Sequence, residues 1–193
     1  MEFVDTTRPF GTSWRKVMMW WFIVTDGLLF AGFLASYGYA RLLSFHWPDL
    51  AAVFSLKYIA AMTFVLISSS ATMASAVEAS GKRQRRLTLA YVLLTVVGGV
   101  VFLGMQAYEW VHLIGEGVRL WQNPWGDASF GSYFFLLTGF HGTHVVTGVI
   151  VLASTAIRLL RNRSTAEGVE MAGLYWHFVD LVWVFIFTLF YLL

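Results

Sequence analysis

The chain has no cysteine, so neither disulfide bonds nor thiolate metal ligands are available to it. Charge is scarce as well: Asp, Glu, Lys and Arg make up 12% of its 193 residues, against ~25% in a soluble domain. The formal net charge is only +2. The basic residues sit in connecting segments, which bears on membrane orientation and not on nucleic acid. No stretch is suited to a soluble domain. No cleavable signal peptide is expected, because the N-terminus is polar through Lys16 and the apolar run after it is too long for a signal h-region.

What the chain has in excess is apolar surface. Hydrophobic residues reach 58%, and nine Trp suit the interfacial belts in which amphipathic rings settle. Five apolar spans can be placed, over residues 17–40, 56–77, 89–108, 134–157 and 172–193, each near the ~20 residues that cross a hydrocarbon core. The expected fold is all-α, a polytopic membrane protein forming one transmembrane domain over residues 1–193. Its connections are short except for 109–133, where Asn123, Pro124, Trp125, Gly126 and Asp127 make a cluster of turn formers.

Lys and Arg set the expected orientation. The N-terminal tail carries Arg8, Arg15 and Lys16, the second connection Lys82, Arg83, Arg85 and Arg86, and the fourth Arg158, Arg161 and Arg163. The opposite side holds Arg41, Lys57 and Arg119. This bias predicts a cytoplasmic N-terminus and a C-terminus outside. Small residues suggest where helices approach one another. Ser68, Thr72 and Ala76 recur every fourth residue on the second span, and Gly139, Gly142 and Gly148 mark the fourth, with Thr143 and Thr147 able to hydrogen-bond. Gly98 and Gly99 are expected to soften the third.

Among the ionisable side chains within or at the ends of these spans, six are the candidates: Asp26, Glu109, His141, His144, His177 and Asp180. His177 and Asp180 are three residues apart and can meet on one helix face. Haem ligation would need facing histidines, yet His141 and His144 share one helix and only His177 stands on another. A diiron centre would need more than the five histidines present, two of which, His46 and His112, fall in loops or at helix ends. A proton or ion path could use Asp26, Asp180 and Glu109. The alternative is structural: the groups pair with each other, with backbone or with headgroups, and so orient the bundle.

Two motifs go further. Tyr175-Trp176-His177-Phe178-Val179-Asp180-Leu181-Val182-Trp183 resembles the signature of subunit III of haem–copper terminal oxidases, cytochrome c or quinol oxidases. So does Thr138-Gly139-Phe140-His141-Gly142-Thr143-His144-Val145, followed by Gly148. Gln106-Ala107-Tyr108-Glu109-Trp110 and Ser68-Ser69-Ser70-Ala71-Thr72 resemble further segments of the family, in order and at family-like spacing. The resemblance implies the short, five-helix bacterial form: a V-shaped bundle in the cytoplasmic membrane, with a cleft that binds phospholipids. It implies no catalytic, cofactor or metal residue on this chain, the haems and copper being held by partner subunits. The implied partners are oxidase subunits I and II, with room for a subunit IV and a respiratory supercomplex. The implied work is to stabilise the catalytic subunit and support proton uptake during aerobic respiration, with Asp26, Glu109, His141, His144, His177 and Asp180 as the polar framework of fold and lipid cleft. Asp26 falls where many members have Glu, in a segment similar to Ser-Glu-x-x-x-Phe. Asp there resembles the quinol-oxidising branch, whereas the segments around Gln106 and Tyr175 resemble the cytochrome c-oxidising one. The alternatives are a subunit III-like protein of a nitric oxide reductase cluster and an ion-conducting protein using the buried carboxylates.

Overall fold

The structure, a computed structural model, describes residues 12–192. Arg8, counted above in the basic N-terminal tail, and Leu193, the end of the fifth span, lie outside them. The helices are α1 (Trp14–Leu43), the single turn α2 (Leu50–Val53), α3 (Leu56–Gly81), α4 (Arg85–Gly115), α5 (Ser129–Leu160) and α6 (Ala166–Ile186). The last of these continues as π-helical turns over Phe187–Leu192. Five of the helices are long and apolar enough to cross a membrane, and no strand occurs among the described residues.

Every expected span is present, and most of the helices run beyond the expected ends. Hydropathy marks the part of a helix that suits hydrocarbon, whereas polar caps carry the helix on into the interface. Ser13 caps α1 by accepting from the Lys16 N–H, and Thr165 caps α6 by accepting from Gly168. At the other ends, Arg83, Asn162 and Gly117 take left-handed φ values of 57°, 55° and 97°. The next residue in each case donates back five positions, Gln84 to Ala79, Arg163 to Arg158 and Val118 to Leu113, which satisfies otherwise orphaned carbonyls. The expected connection over 109–133 is correspondingly shorter, because α4 continues through Glu109 to Gly115 and α5 begins at Ser129. Within it Gly126 has φ 150°, and a Cβ there would lie 2.1 Å from the His46 carbonyl oxygen, so only glycine fits.

Helix α6 is the hub. It packs on α3 and α5, and α1 leans on α5 and α6 without substantial contact with α3. Two fully buried indoles fix it. Trp176 enters slots left by glycines on two neighbours: a Cβ on Gly99 of α4 would lie 2.5 Å from its ring, and one on Gly148 of α5 2.9 Å. The Trp176 N–H donates to Ser69 Oγ of α3 at 3.1 Å. Two turns further on, Trp183 donates to Thr63 Oγ1 at 3.0 Å and meets Phe102 of α4 edge-on at 4.7 Å between centroids.

Two readings of small residues need correction. Gly98 and Gly99 do not soften their helix, which is continuous through both. They admit neighbours: Gly99 admits Trp176, and a Cβ on Gly98 would meet Ser69 Cβ at 2.6 Å. The closest approach of α3 is accordingly through Ser69, which is buried with Met73 and Ala76, and not through Ser68. Thr72 of the expected stripe does cross the same interface, its hydroxyl 2.8 Å from that of Thr95.

Gly99→Val should therefore lower the thermal midpoint of the purified protein, costing about 1–3 kcal/mol as an overpacked core position. Gly104→Val, five residues along where a Cβ meets nothing within 4 Å, should leave it within ~0.5 kcal/mol. Equal midpoints for the two variants would contradict the wedge. A second expectation concerns acid. Asp127 accepts from the Ser129 backbone N–H at 2.9 Å and from its hydroxyl at 2.7 Å, and these bonds hold its carboxyl below its ordinary value. Its folded value lies below its unfolded one, so the stabilisation is full above about pH 4 and is lost as pH falls through the folded value. Amide exchange at Ser129 should lose protection over that range, and Asp127→Asn should abolish the dependence.

Candidate functional site

The six ionisable side chains occupy four separate places. The first joins α1 to α5. Asp26 Oδ2 lies 3.2 Å from His144 Nε2, the side chains being 11% and 14% exposed. His144 Nδ1 lies 2.9 Å from the Phe140 carbonyl oxygen one turn back. A carbonyl can only accept, so Nδ1 carries a proton. The Nε2–Oδ2 contact then needs one more proton, on the imidazole or on the carboxyl. Either placement leaves the pair with no net charge, the state least costly between two apolar helices. Tyr175 of α6 adds a third element by donating to the His144 carbonyl oxygen at 3.2 Å.

His141, one turn before His144, is fully buried in an aromatic box. Trp183 is 5.2 Å away at a 31° tilt, Phe102 5.8 Å away and perpendicular, and Phe30 6.4 Å away. Neither of its ring nitrogens has a hydrogen-bond partner. Beside it, Gln106 donates from Nε2 to the Thr138 carbonyl at 2.6 Å, and the Trp110 indole donates to Thr138 Oγ1 at 3.1 Å. Glu109, further along α4 and buried, accepts from the Tyr191 hydroxyl at 3.3 Å.

The fourth place differs from the expectation that His177 and Asp180 pair. They share a face of α6, but His177 Nδ1 lies 2.7 Å from Ser70 Oγ on α3. Asp180 Oδ1 is buried without a partner, and Ser70 is the neighbour its carboxylate interacts with. Both groups turn to a third residue on another helix, because α3 presents a hydroxyl there. Among the described residues, no three His, Asp or Glu side chains gather closely enough to hold a metal ion. The partners Ser70, Tyr175, Trp183 and Tyr191 are absent from the sequence-based candidates. Helix periodicity does not tell which residues of two distant spans will face each other.

His144 also lines a groove of about 670 Å³ between α1, α5 and α6. Its walls include Met18, Met19, Phe22 and Met171, Thr143, Thr147 and Tyr175 supply hydroxyls, and Arg15 stands at the start of α1. The lining is amphipathic, with a cation and hydroxyls beside apolar walls.

These pairings predict which residues are energetically coupled. A double-mutant cycle on Asp26 and His144 should give a coupling of ~0.5–3 kcal/mol, as contacting buried polar groups do, and a cycle on Ser70 and His177 should do the same. A cycle on His177 and Asp180 should give a smaller value. Thermal or denaturant unfolding of the purified protein measures all three. The largest coupling falling on His177–Asp180 would contradict the geometry.

The family described as cytochrome c oxidase subunit III matches residues 10–193. The "Probable quinol oxidase subunit 3" of Staphylococcus saprophyticus subsp. saprophyticus is 36% identical over 189 residues, covering 93% of this chain and 89% of that protein. The "Cytochrome c oxidase subunit 3" of Alkalihalophilus pseudofirmus is 34% identical over 177 residues, covering 90% and 84%. That of Thermostichus vulcanus is 35% identical over 176 residues, covering 89% and 84%. With five membrane-spanning helices and a match over nearly its whole length, the chain belongs to the cytochrome c oxidase subunit III family.

Proposed function

We propose that this chain is an accessory subunit, without redox chemistry of its own, in a respiratory haem–copper oxidase that reduces oxygen to water. The observation that carries the reading is the combination of the family match with the state of the buried polar groups. Asp26, His144, Glu109 and His177 each engage a neighbouring side chain. Pairs of that kind tie helices together. Haems and copper would then reside in partner subunits I and II, with a fourth subunit able to join.

The accessory work has two supports. The groove beside His144 combines a cation with apolar walls and hydroxyls, which suits a bound phospholipid. The Asp26–His144 pair places an ionisable contact where α1 and α5 meet, which supports a role in ordering the approach to a partner's proton-uptake path. The expected orientation has the ends of α1 and α6 near Arg15, Lys16, Arg161 and Arg163 in the cytoplasm of a bacterium. Relatives named for cytochrome c oxidases and for quinol oxidases both match, and the electron donor would bind other subunits in either case.

Purification through a tag on this chain in mild detergent should bring down a larger haem-bearing subunit. Haem absorption bands should co-elute, and oxygen uptake should begin on adding reduced cytochrome c or quinol. A colourless preparation with no co-purifying chain would overturn the proposal. Asp26→Asn should leave the haem spectrum and the initial rate of oxygen reduction unchanged, because no redox centre depends on it. Loss of the haem bands on that substitution would contradict the accessory role.

A further inference from the structure

The end of the bundle where α4 and α6 begin carries an unbalanced charge. Its carboxylates among the described residues are engaged: Glu78 pairs with Lys82 at 2.6 Å, Glu170 with Lys16 at 2.7 Å, and Glu167 accepts from Ser13. Among the described residues, Arg83, Arg86, Arg158, Arg161 and Arg163 have no carboxylate partner. Charges that stand apart in water are blunted by salt. Two arginines instead share one place: Arg83 and Arg85 line a cavity of about 400 Å³ between the α3–α4 and α5–α6 turns.

Its walls supply donors from both turns. Arg85 spans the gap, its Nε donating to the Leu159 carbonyl at 2.7 Å and its Nη2 to that of Leu160 at 2.8 Å. Those bonds fix the guanidinium and leave three of its five N–H groups for another acceptor. Ser80, half-buried in the last turn of α3, lines the cavity with a hydroxyl that has no hydrogen bond of its own. Ser164 and Thr165 add hydroxyls from the facing turn, and among the described residues no carboxylate lines the space. The backbone has the same sign. Gln84, at the start of α4, makes no side-chain cap, so first-turn N–H groups of that helix stay open beside Arg85. The start of α6 at Ala166 borders the cavity as well, and both helix ends carry partial positive charge.

An anion with oxygens on several sides suits donors that arrive from two turns and two arginines, and a phosphate group is such an anion. The depth agrees. Thr88 in the first turn of α4 and Leu159 in the last turn of α5 border the cavity, where apolar spans give way to polar ends. The bias of Lys and Arg assigns this end to the cytoplasm, and basic pockets between membrane helices on that side take phosphate headgroups.

We propose that this cavity is a phosphate-binding site, with Arg83 and Arg85 as its charged ligands and Ser80, Ser164 and Thr165 as hydroxyl donors. Two sources share that chemistry: the headgroup of an anionic phospholipid and a soluble phosphate. The site has no lining residue in common with the groove beside His144, and it does not depend on the oxidase assignment.

The test is native mass spectrometry of the complex purified through this chain, titrated separately with dihexanoyl phosphatidylglycerol and with inorganic phosphate. Arg83→Asn removes the charge while keeping a residue that tolerates the left-handed turn. It should weaken binding of at least one probe roughly tenfold, about the worth of one charge-assisted hydrogen bond. Arg161→Asn removes the same charge from the same end but outside the cavity, and should change the affinity by no more than roughly twofold. Ser164→Glu, which brings a carboxylate to the lining without removing either arginine, should abolish binding. An Arg83-dependent response to the lipid alone identifies a headgroup as the ligand, and an equal response to inorganic phosphate identifies a soluble anion; either supports the site. Affinities that Arg83→Asn leaves unchanged, or that Arg161→Asn lowers as much, would overturn it. Haem bands in the same preparation report separately on the oxidase reading.

Discussion

The fold turns on one indole. Trp176 is the point at which α3, α4, α5 and α6 meet: its ring occupies space that Gly99 and Gly148 leave open, and its N–H is held by Ser69. In a bilayer there is no hydrophobic gain in bringing helices together, because lipid tails are as apolar as the side chains they replace. Association must come from close packing and from hydrogen bonds between helices, and Trp176 supplies both at one position. Trp183 repeats the arrangement two turns later with Thr63 and Phe102. With these two residues in place, the depth and rotation of α6 are set, and so are the positions of Tyr175, His177 and Asp180 beside them.

The polar interior follows from that placement. Tyr175 can reach the His144 carbonyl, and Trp183 can lie against His141, because α6 is seated between α3 and α5. The Asp26–His144 contact then ties the loosely packed α1 to this core. Several of the polar groups meet a local partner, Asp26 with His144, His177 with a hydroxyl and Glu109 with a phenol, while His141 and one Asp180 oxygen stay without one. Contacts of that kind between helices suit a scaffold that must keep its shape in hydrocarbon. They also leave the proposed chemistry of oxygen reduction to other chains.

Much of this was legible in the sequence, and what was not has a physical cause. The five spans were, because a run of apolar residues long enough to cross the membrane has few other uses. The helix ends were not, because caps such as Thr165 and left-handed residues such as Asn162 lie outside the hydropathy signal. The six polar candidates were visible as charges in apolar surroundings, but only their positions along each helix could be read. The three-residue spacing of His177 and Asp180 put them on one face, as observed, yet the hydroxyl that engages His177 comes from a span more than a hundred residues earlier. The glycines were visible too, although their role was inverted: Gly99 is small so that Trp176 can be large.

The central claim is that this chain shapes the surroundings of a catalytic partner and takes no part in electron transfer. The most direct test compares the oxidase purified with this chain and from cells lacking it, following haem absorption and oxygen uptake through prolonged turnover. The account predicts an intact haem spectrum and a near-normal initial rate without the chain, followed by a faster decline as turnover continues. Haem bands missing from the start, or a complex that reduces oxygen indefinitely at the full rate without it, would contradict the account.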